Sequence, residues 1–207
     1  LTKEDERNNF LAAFKQATWG EEENRLSQTL ETFIKEHQNR WLSAPEEEKW
    51  GGEAGLWQNG SPYVTPSTPT KNQIPSLAEK IAAMIGEPRS PHKTYMKGWI
   101  AVCDLLTDHT PGTPIKMNTQ LRRAIPLWRD YADGGYVDNA KFEFSQPLGQ
   151  AISTMLGAWI SSEISVRMHR TRGLHSVISA YEARYQDHVR SKGRLCFSDL
   201  TLLLAGD

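Results

Sequence analysis

Apolar residues recur at steps of three and four along most of this chain, the spacing of one face of an α-helix. Phe10, Leu11 and Phe14 share such a face, with Thr2 placed to cap the helix and Gly20 to end it. The acidic run Glu21–Glu23 suits the positive end of a second helix, whose apolar row is Leu26, Leu30, Phe33, Ile34, His37 and Trp41. Pro45 and Glu46–Glu48 open a third, which Gly51-Gly52 keeps short or broken. Between Gln58 and Pro75, the prolines at 62, 66, 69 and 75 with Gly60 exclude regular structure and predict a long loop or hinge.

Ser76-Leu77-Ala78-Glu79 then reads as a capping box, leading a helix with Leu77, Ile81 and Met84 on its face and Gly86 at its end. A further helix is predicted over about Thr94 to Thr107, with Met96, Trp99, Cys103 and Leu106 in one stripe. Leu121, Ile125, Trp128 and Tyr131 repeat the spacing, although Pro126 should kink that helix or start it late. Asp133-Gly134-Gly135 marks a turn, and alternating Phe142 and Phe144 give the one strand signal. From Pro147 to about Lys192 the pattern predicts one very long helix or two in series, with Gly157 and Gly173 as weak points. Its last part carries the row Leu174, Val177, Ile178, Tyr181, Tyr185 and Val189, and Gly193 stands where a helix would end. The predicted class is all-α, an irregular multi-helix bundle with a long C-terminal helix. Its organisation is a helical part over 1–57, a Pro/Ser/Thr-rich loop over 58–75, a helical part over 76–194 and a terminal segment over 195–207.

Composition changes this picture little: 38% hydrophobic and 24% charged residues describe a globular chain. No apolar run approaches the roughly 20 residues of a membrane helix, and no basic-then-apolar leader is present, so a cytoplasmic setting is expected. Cys103 and Cys196 are expected as buried thiols rather than as a disulfide or a metal pair. The first residue is Leu and the last residues follow a Leu run, which reads as a piece of a longer protein.

Charge is informative in its distribution. The net charge is −1, yet residues 1–60 hold 12 acidic and 7 basic side chains, whereas residues 151–194 hold 3 and 7. Any nucleic-acid contact must therefore come from a local basic face. Arg167, Arg170 and Arg172 form one group of cations, and Arg190, Lys192 and Arg194 a second; these six are the candidate DNA contacts. Such groups neutralise phosphates and release counterions, giving salt-sensitive affinity without sequence preference. Lys97, Arg122, Arg123 and Arg129 are further candidates. The tryptophans at 41, 99, 128 and 159 fall on apolar rows and are expected in the core, while Trp19, Trp50 and Trp57 lie beside glycines and are less clearly placed.

Catalytic motifs are missing. There is no Gly-x-x-x-x-Gly-Lys-Ser/Thr phosphate loop, no Asp-Glu pair after an apolar strand, no Gly-x-Ser-x-Gly and no His-Glu-x-x-His. The six-residue gap between His169 and His175 is wrong for two ligands on adjacent helical turns. Neither a catalytic residue, a metal ligand nor a cofactor site is expected in this chain.

The ordering of an amphipathic Tyr- and Arg-bearing helix, then Lys192-Gly193-Arg194, then Leu195-Cys196-Phe197-Ser198-Asp199-Leu200, resembles a segment of UvrD/Rep-type DNA helicases. Their RecB/AddA-like branch is included. There a long helix leads into a Leu-Asp-Phe-Asp-Asp-Leu-like signature just before the second ATPase motif. Leu195, Phe197, Asp199 and Leu200 match it; Cys196 stands where Asp is usual, and Ser198 where the next acid is. The specific similarity covers about Leu174 to Leu204, and the rest agrees in helical character. The resemblance implies that the chain is the helical insertion called 1B, with 195–207 returning towards an ATPase core outside it. ATP and Mg²⁺ would then belong to the parent motor, a junction of single-stranded and duplex DNA would be its partner, and a helicase–nuclease subunit a further one. The competing expectation is a helical protein–protein interaction module that never touches nucleic acid. The two differ in whether Arg167, Arg170, Arg190 and Lys192 share an exposed face or pair with acids inside the fold.

Overall fold

The structure is a computed structural model. It describes residues 3–18, 26–57, 59, 71–137, 142–195 and 199. The chain is all-α, with seven α-helices among the described residues: α1 Lys3–Thr18, α2 Leu26–Ser43, α3 Glu53–Leu56, α4 Ile74–Ile85, α5 Lys93–Asp108, α6 Thr119–Ala124 and α7 Gln146–His188. One two-residue hairpin, β1 Gly135–Tyr136 with β2 Glu143–Phe144, pairs Gly135 with Phe144 and Tyr136 with Glu143 in antiparallel register. Contacts divide the chain into two compact units, one of residues 1–60 and 167–207, the other of 61–166. One division thus falls beside the Pro-rich segment. The other falls inside α7, between Val166 and Arg167.

The second unit packs α4, α5, α6, the hairpin and the first part of α7 around Ile81, Trp99, Leu106, Leu121, Tyr131, Phe144, Ile152 and Met155. Trp99, Tyr131 and Phe144 meet edge to face, with ring centroids 5.2–6.1 Å apart. That geometry aims the positive ring edge at the negative face. Helix α4 begins at Ile74, two residues before the expected capping box, and no side chain caps it. Pro75 lacks an N–H and so fits a first turn, while burying Ile74 to 2% exposure holds the extra residues in the helix. Helix α6 is capped by Asn118, whose Oδ1 accepts from Leu121 N at 2.8 Å, and stops before Pro126. The α5–α6 loop is fastened by Glu163, whose Oε1 meets His109 Nε2 at 2.6 Å and accepts from Gly112 N at 3.1 Å.

The first unit packs α1, α2 and the last part of α7. Phe14 is buried and lies 5.9 Å from the ring of Phe33. Gln16 Nε2 donates to the His169 carbonyl at 2.9 Å. A Cβ added at Gly173 would stand 2.6 Å from Ala17 N, so this glycine sets how closely α1 approaches α7. In the second unit Gly157 does the same work against Trp128, where a Cβ would stand 2.8 Å from Cζ3. Both positions, expected as weak points, lie inside one uninterrupted helix of 43 residues. The backbone penalty of about 1 kcal/mol at each is offset by the close packing it permits.

Trp50, read from its glycine neighbours as doubtful core, is 3% exposed. Its Nε1 donates to Ala44 O at 2.7 Å, and its ring lies 5.8 Å from that of His175. His175 Nε2 in turn donates to Pro45 O at 2.7 Å, which gives this histidine a structural task. Cys103 is a buried free thiol. The expected cap at Thr2, the stop at Gly20, the run Glu21–Glu23, Trp19 and Cys196 lie outside the described residues.

Candidate nucleic-acid interface

The six candidate cations and Asp199 all belong to the first unit, with Arg167, Arg170 and Arg172 midway along α7 and Arg190, Lys192, Arg194 and Asp199 beyond its end. The helix ends at His188 and passes into a 3-10 turn, Arg190–Lys192, closed by Gly193 at φ +70°. A side chain is strained in that left-handed conformation, so glycine suits it. Beyond it the chain brings Asp199 back against α7. Asp199 is 3% exposed and accepts from Tyr185 OH at 2.9 Å and from Arg190 Nε at 2.8 Å.

Arg190 bridges two buried acids. Its Nη1 donates to Glu182 Oε2 at 2.8 Å, Glu182 is 3% exposed, and the second oxygen of Glu182 accepts from Gln38 Nε2 on α2. The guanidinium also lies 4.7 Å from the centroid of the Tyr185 ring, a cation–π contact, and Tyr185 stacks on Tyr181. Burial disfavours the charge on Arg190. The hydrogen bonds to Asp199 and Glu182, with the charges behind them, outweigh that and raise its pKa above the ordinary arginine value. A second contact of the same region, Trp41 Nε1 to Ser179 Oγ at 2.8 Å, ties α2 to α7 one turn earlier.

Arg190 is only 18% exposed at its side chain and is held by two carboxylates, which makes it a structural bridge. The acids that hold it are Glu182 and Asp199; in the exposed run Glu46–Glu48, Glu46 pairs with Lys49 at 3.0 Å. Arg167, Arg172, Lys192 and Arg194 are exposed, and Arg170 is half-buried. Arg167 and Arg172 stand about 140° apart around α7 at 100° per residue, so they do not form one strip. Of the signature residues, Leu195 is 47% exposed, Asp199 is buried, and Phe197 and Leu200 lie outside the described residues.

Sequence reasoning missed Glu182, Tyr185 and Gln38 as members of this network. A signal was present: Glu182 is an acid between Ile178 and Tyr185 on the apolar side of the helix, with Arg190 two turns on. Gln38, 144 residues away, carried none. The first unit also holds an open groove of about 650 Å³, walled by Phe10, Ala13, Leu30, Ala180 and Tyr181, with the ion pair of Glu6 and Arg184 on its lining.

Among the described residues no group of His, Cys, Asp and Glu is arranged to hold a metal ion, and no helix is long and apolar enough to cross a membrane. No protein-family model, curated protein or solved structure matches the chain.

Proposed function

We propose that this chain is the helical accessory, 1B-like region of an ATP-dependent UvrD/Rep-type DNA helicase or helicase–nuclease of repair and recombination, acting in the cytoplasm. It contributes DNA contact and no ATPase site; ATP and Mg²⁺ are held by motifs of the parent protein. The observation that carries this reading is the placement of Asp199. In the resembling signature this acid lies on the segment that returns to the motor. Here it is buried against Tyr185 and Arg190 of the preceding helix and turn. The exposed cations Arg167, Arg172, Lys192 and Arg194 are then the phosphate contacts, at the junction of single-stranded and duplex DNA.

The test is fluorescence anisotropy of the full chain with a labelled duplex bearing a single-stranded tail, across a salt series. Alanine at all four exposed cations should flatten the slope of log K against log salt by up to about 3.6 on duplex DNA. An unchanged slope removes these residues from the interface. A second reading, a protein-interaction module, is favoured by the apolar groove between α1, α2 and α7. It gains if the chain shows no affinity for the tailed duplex at low salt.

A further inference from the structure

In the second unit, α5 and α6 face each other across an open cavity of about 660 Å³, a size within the ~300–1,000 Å³ of small-molecule sites. Three rings line it. Phe142 contacts His92 edge-on, with centroids 5.6 Å apart, and Tyr95 at 5.8 Å, and all three are half-buried. The opposite wall is polar: Asn118, fixed by its capping bond, and Gln120, whose side chain lies over Gly98. Tyr95 Oη and Gln120 Nε2 are shielded from water and make no hydrogen bond to the described residues. Groups left so carry a desolvation penalty that a bound acceptor within their reach would relieve.

Cations outnumber acids on the two helices that wall the cavity. Residues 93–124 carry Lys93, Lys97, Lys116, Arg122 and Arg123 against Asp104 and Asp108. Thr94, Gly98 and Ala101 form the α5 wall, and Lys97 lies on the same strip at helical spacings of three and four. Arg123 stands one turn beyond Thr119 and Gln120 on α6. Both cations are exposed, while the two acids lie further along α5.

Aromatic faces, a carboxamide and a phenol seeking partners, and flanking cations together match one ligand chemistry. The geometry points to a site for a nucleotide unit, its base against Phe142 and His92, its base edge at Gln120 and its phosphate between Lys97 and Arg123. Amide side chains pair with base edges, and base–aromatic stacking tolerates any base. The inference goes beyond the helicase reading and stands apart from it, because it uses other residues in the other unit.

The experiment measures binding of a short fluorescein-labelled oligothymidylate to the full chain, with competition by thymidine monophosphate and by inorganic phosphate. Competition by the mononucleotide identifies a free-nucleotide site; binding of the oligonucleotide alone identifies a unit of a single strand. Phe142→Ala and Gln120→Ala should each weaken binding, the former about tenfold. The exposed pair Lys97→Ala with Arg123→Ala should reduce the salt slope by about 1.4 on a single strand, and it keeps the test open if Phe142→Ala fails to fold. Loss of oligonucleotide binding on Phe142→Ala or Gln120→Ala separates the site from the proposed junction contact, which uses no residue of this cavity. The proposal is overturned if inorganic phosphate competes as well as the nucleotide, or if the pocket variants bind the oligonucleotide like the parent chain.

Discussion

Replacing Arg190 by alanine probes the point where the end of α7 holds the chain that follows it. The substitution deletes two charge-assisted hydrogen bonds of 2.8 Å, to Asp199 and to Glu182, and the cation over Tyr185. Asp199 retains Tyr185 OH, and Glu182 retains Gln38, but both carboxylates are 3% exposed and lose their counter-charge. Two charge-assisted bonds at ~1.5–3 kcal/mol each total about 3–6 kcal/mol. Removing one partner of a buried ion pair costs about 3–5 kcal/mol, the same range reached independently. The two acids differ in their place on the chain. Glu182 sits within α7, whereas Asp199 lies beyond the helix end and the turn at Gly193.

About 3 kcal/mol is therefore expected in urea unfolding followed by circular dichroism. A double-mutant cycle of Arg190→Ala with Asp199→Asn should return a coupling of about 1.5–3 kcal/mol. Arg190→Lys should recover only part of it, since an ammonium cannot fork between two carboxylates. The loss should change little between low and high salt, because screening acts mainly on exposed pairs. A destabilisation below about 0.5 kcal/mol, or one abolished by salt, would refute the reasoning and class Arg190 with ordinary surface ion pairs.

Two further outcomes follow from the packing. Burial, reinforced by the charge of Asp104, raises the Cys103 thiol from 9.0 to about 12. The folded state keeps this proton while the unfolded state releases it above pH 9, so its contribution to stability is complete below pH 9 and is lost as pH rises from 9 towards 12. In a Cys196→Ser background, thiol reagents at pH 8 should label Cys103 at the rate of unfolding; immediate labelling of the folded chain would contradict the burial. Gly173→Val should destabilise by about 1–3 kcal/mol or more, since even a Cβ would stand 2.6 Å from Ala17 N, and a melting temperature equal to the parent's would show that α1 does not hold that position.

The all-α class, the stripe of α5 and the helical reading of α7 were legible in the sequence because helical periodicity is local. A residue's side of the helix is decided by neighbours three and four positions away. The turn at Gly193 was legible for the same reason, since a left-handed backbone position selects glycine whatever lies around it. Tertiary contact decided the rest. Gly157 and Gly173 look like breaks until Trp128 and α1 are brought against them. Trp50 looks undecided until Ala44 O and His175 enclose it. His109 and Glu163 are 54 positions apart, and Gln38 and Glu182 are 144 apart, so no spacing rule could pair them. Arg190 read as a phosphate contact because its sequence neighbours are basic. Its partners Glu182 and Asp199 are 8 and 9 positions away, and the tertiary structure brings both carboxylates onto the one guanidinium.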